Sequence, residues 1–334
     1  NIFNEFQPLV VGYKNIEAFQ KLIAPYYIVV RKEDVKDKLP PFTIVKKFLP
    51  HSMSQVLTIQ SLYNNTFNSD GTIEQIDTST LVEEVDLESI DVGNTASGLA
   101  KVTYTRMALA DSDTIKNHKL SLENLSPKTK EIVRFISNDI NDEKIVIYSP
   151  YLKYIEHLQY VLSHHPDIPS THSKSLKITG EVKDREDVRV SFSTDPNLNV
   201  LILNDAGIRA LNLQAANTLI VTSLPKTFGD LSQLAGRISR LGSKHQNLYL
   251  YFLLTKDSQD EDEYKICMQQ GLLSKPIIGE SEKGLIDYDV LADHKQGLDS
   301  DKMRTYSLSY LVLAKRAIRK SAYLNLKVET EDDD

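Results

Sequence analysis

The hydrophobic pattern changes at Ser126, where two kinds of segment begin to alternate along the chain. Short, continuous apolar runs are typical of strands buried on both faces of a parallel sheet. Between them, apolar residues such as Ile155, Leu158 and Leu162 recur at helical spacing. This alternation predicts a three-layer α/β/α fold built on a parallel sheet. The predicted strands are residues 144–149, 176–180, 199–204, 218–223 and 248–255, and the predicted helices include 127–137, 184–192 and 230–241.

Two of these helices have recognisable starts. Ser126 is predicted to be the N-cap of the first helix, because its hydroxyl can accept from a free amide of the first turn. Pro127 then occupies the first helical position, where a missing N–H costs nothing. Asp184 is predicted to cap the helix that follows it in the same way.

The residues before Ser126 are less regular. Phe19, Leu22 and Ile23 lie on one face of a predicted helix that ends at Pro25. A strand is predicted at 42–49, and helices are predicted at 54–63 and 99–111. Residues 64–98 are rich in Asn, Ser, Thr, Asp and Glu, which predicts an acidic, mobile insertion with little core.

The C-terminal residues, 256–334, are predicted to be helical around a loop at 279–287. They include a basic cluster and end in an acidic tail. The cluster consists of Lys315, Arg316, Arg319 and Lys320. The sequence therefore divides into an N-terminal part at 1–120, an α/β part at 121–256 and a helical C-terminal extension at 257–334.

Composition narrows the class of protein. The chain has 334 residues, 41% hydrophobic and 25% charged, which suits a globular protein of about two domains. The net charge of -7 excludes an overall basic surface for nucleic acid, but it permits a local basic patch. The single cysteine, Cys267, excludes an internal disulfide and a cysteine-built zinc site, and it suits an intracellular, reducing compartment. No apolar run approaches the ~18 residues of a membrane span, so no membrane partner is expected.

The most informative segment is residues 233–242, which contains two arginines at helical spacing. Gln233 and Arg237 are four residues apart, and Arg237 and Arg240 are three apart, so one helix would project all three from one face. Paired guanidinium groups can converge on a phosphate. Gly236 allows another backbone to approach closely. From spacing alone, a surface helix with solvated arginines remains an equal alternative.

This segment resembles motif VI of superfamily 2 helicases, whose pattern is Q-x-x-G-R-x-x-R-x-G. Four further segments occur in the family's order and resemble other parts of the Swi/Snf-type DNA translocases. Residues 30–35 with Leu39-Pro40 are similar to the linker before the second lobe, and residues 145–149 with Tyr151 are similar to motif IV. Residues 203–214 are similar to motif V. The segment between motifs IV and V is matched by Ile178-Thr179-Gly180 followed by Arg185 and Phe192.

The resemblance implies a RecA-like second lobe, with an inter-lobe linker and a Swi/Snf-type helical insertion in residues 1–120. It implies an ATP-dependent double-stranded-DNA translocase or helicase in which Arg237 and Arg240 are catalytic arginine fingers. The implied nucleotide-binding residues are Gln233, Gly236, Gly207 and Asp205. The implied contacts to the DNA backbone are Ser149, Tyr151, Thr179, Gly180 and Asn204.

Three departures from the family pattern affect the expected DNA geometry. Ile208-Arg209-Ala210 stands where the family has a Gly-x-Gly sequence. Asn204 replaces the usual threonine of motif V and keeps a hydrogen-bonding tip. Leu224-Pro225-Lys226 stands where a tryptophan is common, and the chain contains no tryptophan.

The parts that bind phosphate and magnesium in the first lobe are also missing from this sequence. It contains no Gly-Lys-Ser/Thr and no Asp-Glu-x-His. ATP and Mg²⁺ are therefore expected to be shared with an N-terminal RecA-like lobe, encoded upstream or carried by another chain. The chain, which lacks an initiator methionine, is expected to begin just after that lobe and to be inactive by itself.

Other interpretations remain open at this stage. The alternative to a motor lobe is a RecA-like binding scaffold that has lost its motor partner. The retained Gln233, Arg237 and Arg240 favour the motor lobe, and the altered motif V slightly favours the scaffold. An RNA-helicase lobe is a third and weaker alternative, because the linker pattern resembles the DNA-translocase group.

The three histidines His164, His165 and His172 allow a metal site or a solvated loop. The C-terminal basic cluster allows DNA contact or a solvated helix face. Arg185 allows a place on the DNA track or a local pair with Glu181.

Overall fold

The computed structural model describes residues 15–23, 39–63, 95–115, 120–140, 142–209 and 211–278. Several predictions concern other residues and lie outside this described part. They are most of the linker segment, the acidic insertion up to residue 94, the loop at 279–287, the C-terminal basic cluster and the acidic tail.

A six-stranded parallel sheet forms the centre of the fold, and this confirms the predicted RecA-like α/β class. The strands lie in the order β1-β6-β5-β2-β4-β3. Their bounds are β1 Phe42–Leu49, β2 Ile145–Tyr148, β3 Ser175–Ile178, β4 Val200–Leu203, β5 Thr218–Val221 and β6 Leu248–Thr255. Every residue of β2, β4 and β5 is buried, which explains why these segments are continuous apolar runs in the sequence.

Nine α-helices occur in the described residues, and none of them is both long and apolar enough to span a membrane. They are α1 Ile16–Ile23, α2 Met53–Tyr63, α3 Thr95–Asp111, α4 Pro127–Asn138, α5 Leu152–His164, α6 Ser170–Ser173, α7 Arg185–Thr194, α8 Phe228–Ile238 and α9 Gln259–Ile278. The Ser126 hydroxyl accepts from the amide of Thr129, as predicted, whereas the side chain of Asp184 makes no capping bond. Helix α3 begins inside the segment predicted to be a mobile insertion.

The two faces of the sheet bury different side chains. Val146 and Tyr148 of β2 pack in a cluster with residues of α7, α8 and α9. Ile145 and Ile147 point the other way, into a cluster with α4 and α5. All four side chains are fully buried, and burial of a large apolar side chain stabilises a fold by about 1.5–3 kcal/mol. Because successive side chains of β2 point to opposite faces, this one strand packs against both helical layers.

Strand β1 belongs to this same sheet. It pairs with β6 over its whole length, from Phe42 opposite Leu248 to Leu49 opposite Thr255. The N-terminal part of the chain therefore supplies an edge strand of the sheet. The predicted domain divisions remain predictions.

Two ion pairs, one buried and one half-buried, connect the helices to the carboxyl ends of β5 and β6. Lys128 of α4 is fully buried, with its ammonium group 2.7 Å from an Asp260 oxygen and 2.6 Å from the Thr222 carbonyl. Arg106 of α3 lies 3.0 Å from a Glu263 oxygen. Burial raises the pKa of Glu263, although Arg106 lowers it. Each of the two cations thus has a carboxylate partner.

Candidate nucleotide and nucleic-acid site

The connection from β4 to β5 begins with a tight turn, Asp205–Gly207. The Asn204 side chain accepts a hydrogen bond from the amide of Ala206 at 3.0 Å. The backbone carbonyl of Asn204 accepts one from the amide of Gly207 at 2.8 Å. A Cβ atom on Gly207 would lie 2.8 Å from the Cβ of Leu203, so the turn can pack on β4 only with glycine here. The lack of a side chain at Gly207 thus has a packing reason.

Three arginines donate hydrogen bonds to three backbone carbonyls of this connection. Arg185 donates to Ala206 at 3.1 Å, Arg237 to Ile208 at 2.6 Å, and Arg240 to Leu211 at 3.2 Å. A second bond from Arg185 goes to the carbonyl of Val182, not to Glu181. The segments that resemble motifs V and VI are therefore joined through arginine side chains.

The end of α8 differs from the prediction. The helix ends at Ile238, three residues before Leu241, and Ser239 has extended backbone angles. The carbonyl of Arg237 accepts from the amide of Leu213, so it is taken up by the β4–β5 connection. Gln233 and Arg237 therefore share the helix, whereas Arg240 lies beyond it and reaches the connection from there.

The charge distribution around the two arginines is unusual for half-buried cations. Burial and the nearby charge of Arg240 lower the pKa of Arg237. Within the described ranges, neither arginine has a carboxylate within ion-pair distance. Because the two guanidinium groups donate only to neutral carbonyl oxygens, their positive charges favour the binding of an anion.

The other residues predicted for nucleotide binding include Gln233, Gly236 and Asp205. Gln233 is exposed on α8, and a Cβ atom on Gly236 would meet nothing within 4 Å. The structure therefore shows no close approach to Gly236 by another described residue. Asp205 is exposed in the turn and is bonded to a tyrosine.

The predicted DNA contacts at the ends of β2 and β3 are partly interior. Ser149 is fully buried and Thr179 is 2% exposed, because the burial of the strands extends one residue past each strand end. Their assignment as DNA contacts remains a prediction. Tyr151 is half-buried, and burial raises its pKa. Gly180 is exposed, while the Asn204 side chain is used within its own turn.

The hydrogen bond between Tyr148 and Asp205 is the feature of this region that sequence reasoning missed. The Tyr148 side chain is fully buried at the end of β2, and its hydroxyl donates to the Asp205 carboxylate. Burial and the Asp205 carboxylate raise the pKa of Tyr148 above its usual range, so the phenol remains a donor. The available signal was a phenol at the last position of an otherwise aliphatic strand.

The three histidines do not form a common site. His172 is buried against the Glu143 carbonyl at 3.0 Å, His164 lies 2.9 Å from the Tyr160 carbonyl, and His165 lies 3.9 Å from Asp167. No group of three or more metal-ligating residues occurs in the part of the chain that the structure describes. The geometry thus favours separate structural roles.

Residues 127–242 match the family model of the helicase conserved C-terminal domain. Over these residues the chain is similar to helicase C-terminal domains. The chain has the fold of the Sulfolobus solfataricus SWI2/SNF2 ATPase core in complex with dsDNA, with a TM-score of 0.55 at 16% identity over 90% of this chain and 56% of that one. The predicted resemblance to a helicase second lobe is confirmed, and the fold agrees with the Swi/Snf type.

Two curated relatives are also similar to the chain. The uncharacterized ATP-dependent helicase YqhH of Bacillus subtilis is 27% identical over 139 residues, which are 42% of this chain and 24% of that protein. The ATP-dependent helicase fft1 of Schizosaccharomyces pombe is 25% identical over 161 residues, 47% of this chain and 16% of that protein. The chain thus spans a quarter or less of these relatives.

Proposed function

We propose that the chain is the C-terminal motor lobe of an ATP-dependent translocase or helicase that acts on double-stranded DNA. The observation that carries the proposal is the pair Arg237 and Arg240, two neighbouring cations held by carbonyls alone in the described structure. The relatives described as ATP-dependent helicases support the nucleotide, and the neighbour bound to dsDNA supports the nucleic acid.

In this proposal the two guanidinium groups act on the phosphates of ATP across a cleft between two lobes. Phosphate oxygens would replace the carbonyls of Ile208 and Leu211 as their acceptors, and an anion is the stronger partner. Bound ATP would supply a transferable phosphoryl group, on which negative charge develops. Arginine fingers that stabilise such charge increase turnover by about 10³- to 10⁵-fold.

The proposal assigns the remaining nucleotide chemistry to an N-terminal RecA-like lobe. The arginine pair fits phosphate oxygens, whereas the described residues contain no cluster that could hold Mg²⁺. Magnesium coordination is therefore assigned to groups outside this lobe, and we expect negligible ATP hydrolysis by the chain alone. We further propose a reducing, intracellular setting, consistent with the buried free thiol of Cys267.

DNA contact is proposed at the exposed turn around Gly180 and at the Asp205–Gly207 turn. Both follow strands that are adjacent in the sheet, β3 and β4, so they lie at the same edge. Backbone groups and short side chains at this edge would contact the phosphates of one DNA strand without reading its sequence. Binding to duplex DNA should therefore be independent of sequence and weakened by salt.

The experiment is to replace Arg237 and Arg240 with alanine, singly and together, in the two-lobed enzyme. DNA-stimulated ATP hydrolysis should fall at least about 10³-fold while the melting temperature changes little. Lysine at either position should also impair turnover, because it keeps the charge but loses the planar fork. Arg134→Ala is the matched control, since this exposed arginine pairs with carboxylates on α4 and in the turn after it.

Unchanged turnover in a well-folded double variant would contradict the motor proposal. The second candidate is then a binding scaffold. It is favoured by Ile208, which stands where the family has glycine and is buried in the core at 3% exposure. A scaffold would bind its partner equally well with either arginine replaced.

A further inference from the structure

The Asp205–Gly207 turn is restrained from several directions. Asn204 holds its amides, Arg185 holds the Ala206 carbonyl, and Leu203 packs under Gly207. These three restraints act on the backbone. A fourth restraint acts on a side chain of the turn: the Tyr148 hydroxyl donates a hydrogen bond to the Asp205 carboxylate.

Asp205 raises an electrostatic problem for the proposed DNA contact. It is an exposed carboxylate in a turn that, under the proposed function, faces phosphate groups. Two negative charges about 4 Å apart repel each other by about 1 kcal/mol in water and more beside a protein surface. The position of this carboxylate therefore affects how closely the turn can approach DNA.

Tyr148 is well suited to fix that position. Its ring is fully buried in the cluster on one face of the sheet. Its carbonyl accepts from both the amide and the hydroxyl of Thr222, each at 3.0 Å, so the backbone beneath the ring is anchored to the next strand. Burial and the Asp205 carboxylate raise the pKa of the phenol, so it keeps the proton that it donates.

We propose that Tyr148 is a positioning residue for DNA binding: its hydroxyl holds the Asp205 carboxylate at the end of β2 and keeps it from turning toward the phosphates. The inference rests on the proposed function, and it adds Tyr148, which lies in the segment similar to motif IV but is not among the DNA-contact or nucleotide-binding residues implied above. Phenylalanine at this position would keep the packing of the ring but release the carboxylate.

The experiment compares four variants of the full chain with the unaltered protein. They are Tyr148→Phe, Asp205→Asn, the double variant, and the control Tyr154→Phe. Tyr154 is also fully buried and hydrogen-bonded, through Thr129, but it lies in the cluster on the opposite face of the sheet. Affinity for a labelled duplex of about 20 base pairs is measured by fluorescence anisotropy over a salt series. Hydrogen exchange is followed at the amides of Ala206 and Gly207.

We expect Tyr148→Phe to weaken duplex binding about threefold to tenfold, within the range for a typical intramolecular hydrogen bond. Asp205→Asn should bind as tightly as the unaltered protein or more tightly, because the amide oxygen can still accept and the charge is gone. The double variant should match Asp205→Asn, since the hydroxyl acts through that charge. Tyr154→Phe should leave DNA affinity unchanged.

Two results would overturn the inference. One is normal DNA affinity in Tyr148→Phe, and the other is an equal loss of affinity when the tyrosine is replaced in the Asp205→Asn background. If the unaltered chain fails to bind duplex, the proposed DNA contact itself is wrong. Exchange then decides whether Tyr148 holds the turn: faster exchange at Ala206 and Gly207 in Tyr148→Phe supports it, and unchanged exchange rejects it.

Discussion

Two sets of buried or half-buried cations in this lobe are balanced in opposite ways. Lys128 and Arg106 each have a carboxylate within 3.0 Å, beneath helices that cover the sheet. Arg237 and Arg240 have only backbone carbonyls, beside the β4–β5 connection. The first set satisfies its charge within the fold, whereas the second keeps charge available for an external anion. The contrast separates cations that stabilise the lobe from cations that we propose act on a ligand.

The largest expected effect is on Lys128. Replacing it with alanine leaves Asp260 buried without its cation, and breaking a buried ion pair costs about 3–5 kcal/mol. Chemical denaturation of Lys128→Ala should show a loss of this size. Lys130→Ala on the exposed side of the same helix is the control and should change the free energy of unfolding by about 0.5 kcal/mol or less. Equal losses in the two variants would contradict the contrast.

Arg106→Ala should have the next largest effect. The side chain binds both the Glu263 carboxylate and the Leu224 carbonyl, but it is 14% exposed, so we expect a loss of about 2–3 kcal/mol. Glu263→Gln should be milder, because burial already favours the neutral form of this carboxyl group. Thermal unfolding of both variants would measure the difference, and a more damaging Glu263→Gln would refute this ranking.

His157 provides a pH-dependent member of the paired set. Its ring lies 2.5 Å from Asp111 and 2.8 Å from the Ser121 carbonyl. Burial lowers its pKa, but these two hydrogen bonds and the Asp111 charge outweigh burial, so the pKa lies above 6.5. The stability that it contributes is therefore fully present below about pH 6.5 and is lost as the pH rises through the raised value. The unfolding free energies of the unaltered protein and His157→Gln should converge at alkaline pH; a constant gap would argue against a charged His157.

Arg237→Ala should have the smallest effect on stability. It removes a hydrogen bond to Ile208 but also relieves the repulsion from Arg240 and the cost of burial. We expect a change of about 1 kcal/mol or less in the free energy of unfolding. A loss comparable to that of Lys128→Ala would place Arg237 in the stabilising set and weaken its assignment to a ligand.

The features predicted correctly from the sequence depend on residues that are close together along the chain. Buried strands appear as apolar runs, and the Ser126 cap acts three residues away. The end of α8 was placed too late because a distant amide, that of Leu213, binds the Arg237 carbonyl. The bond between Tyr148 and Asp205 was missed for the same reason, since it joins different strands. Composition likewise gave no sign that Ser149 and Thr179 would be interior.

The pairing of β1 with β6 also sets an order for synthesis and folding. Roughly 200 residues separate the two strands, so the edge strand must wait until almost the whole described chain has left the ribosome. Closing so long a loop costs only about 0.6 kcal/mol more than closing one half as long, so the delay is kinetic. A nascent chain shortened at its N-terminus would leave one edge of β6 unpaired, as a template for aggregation.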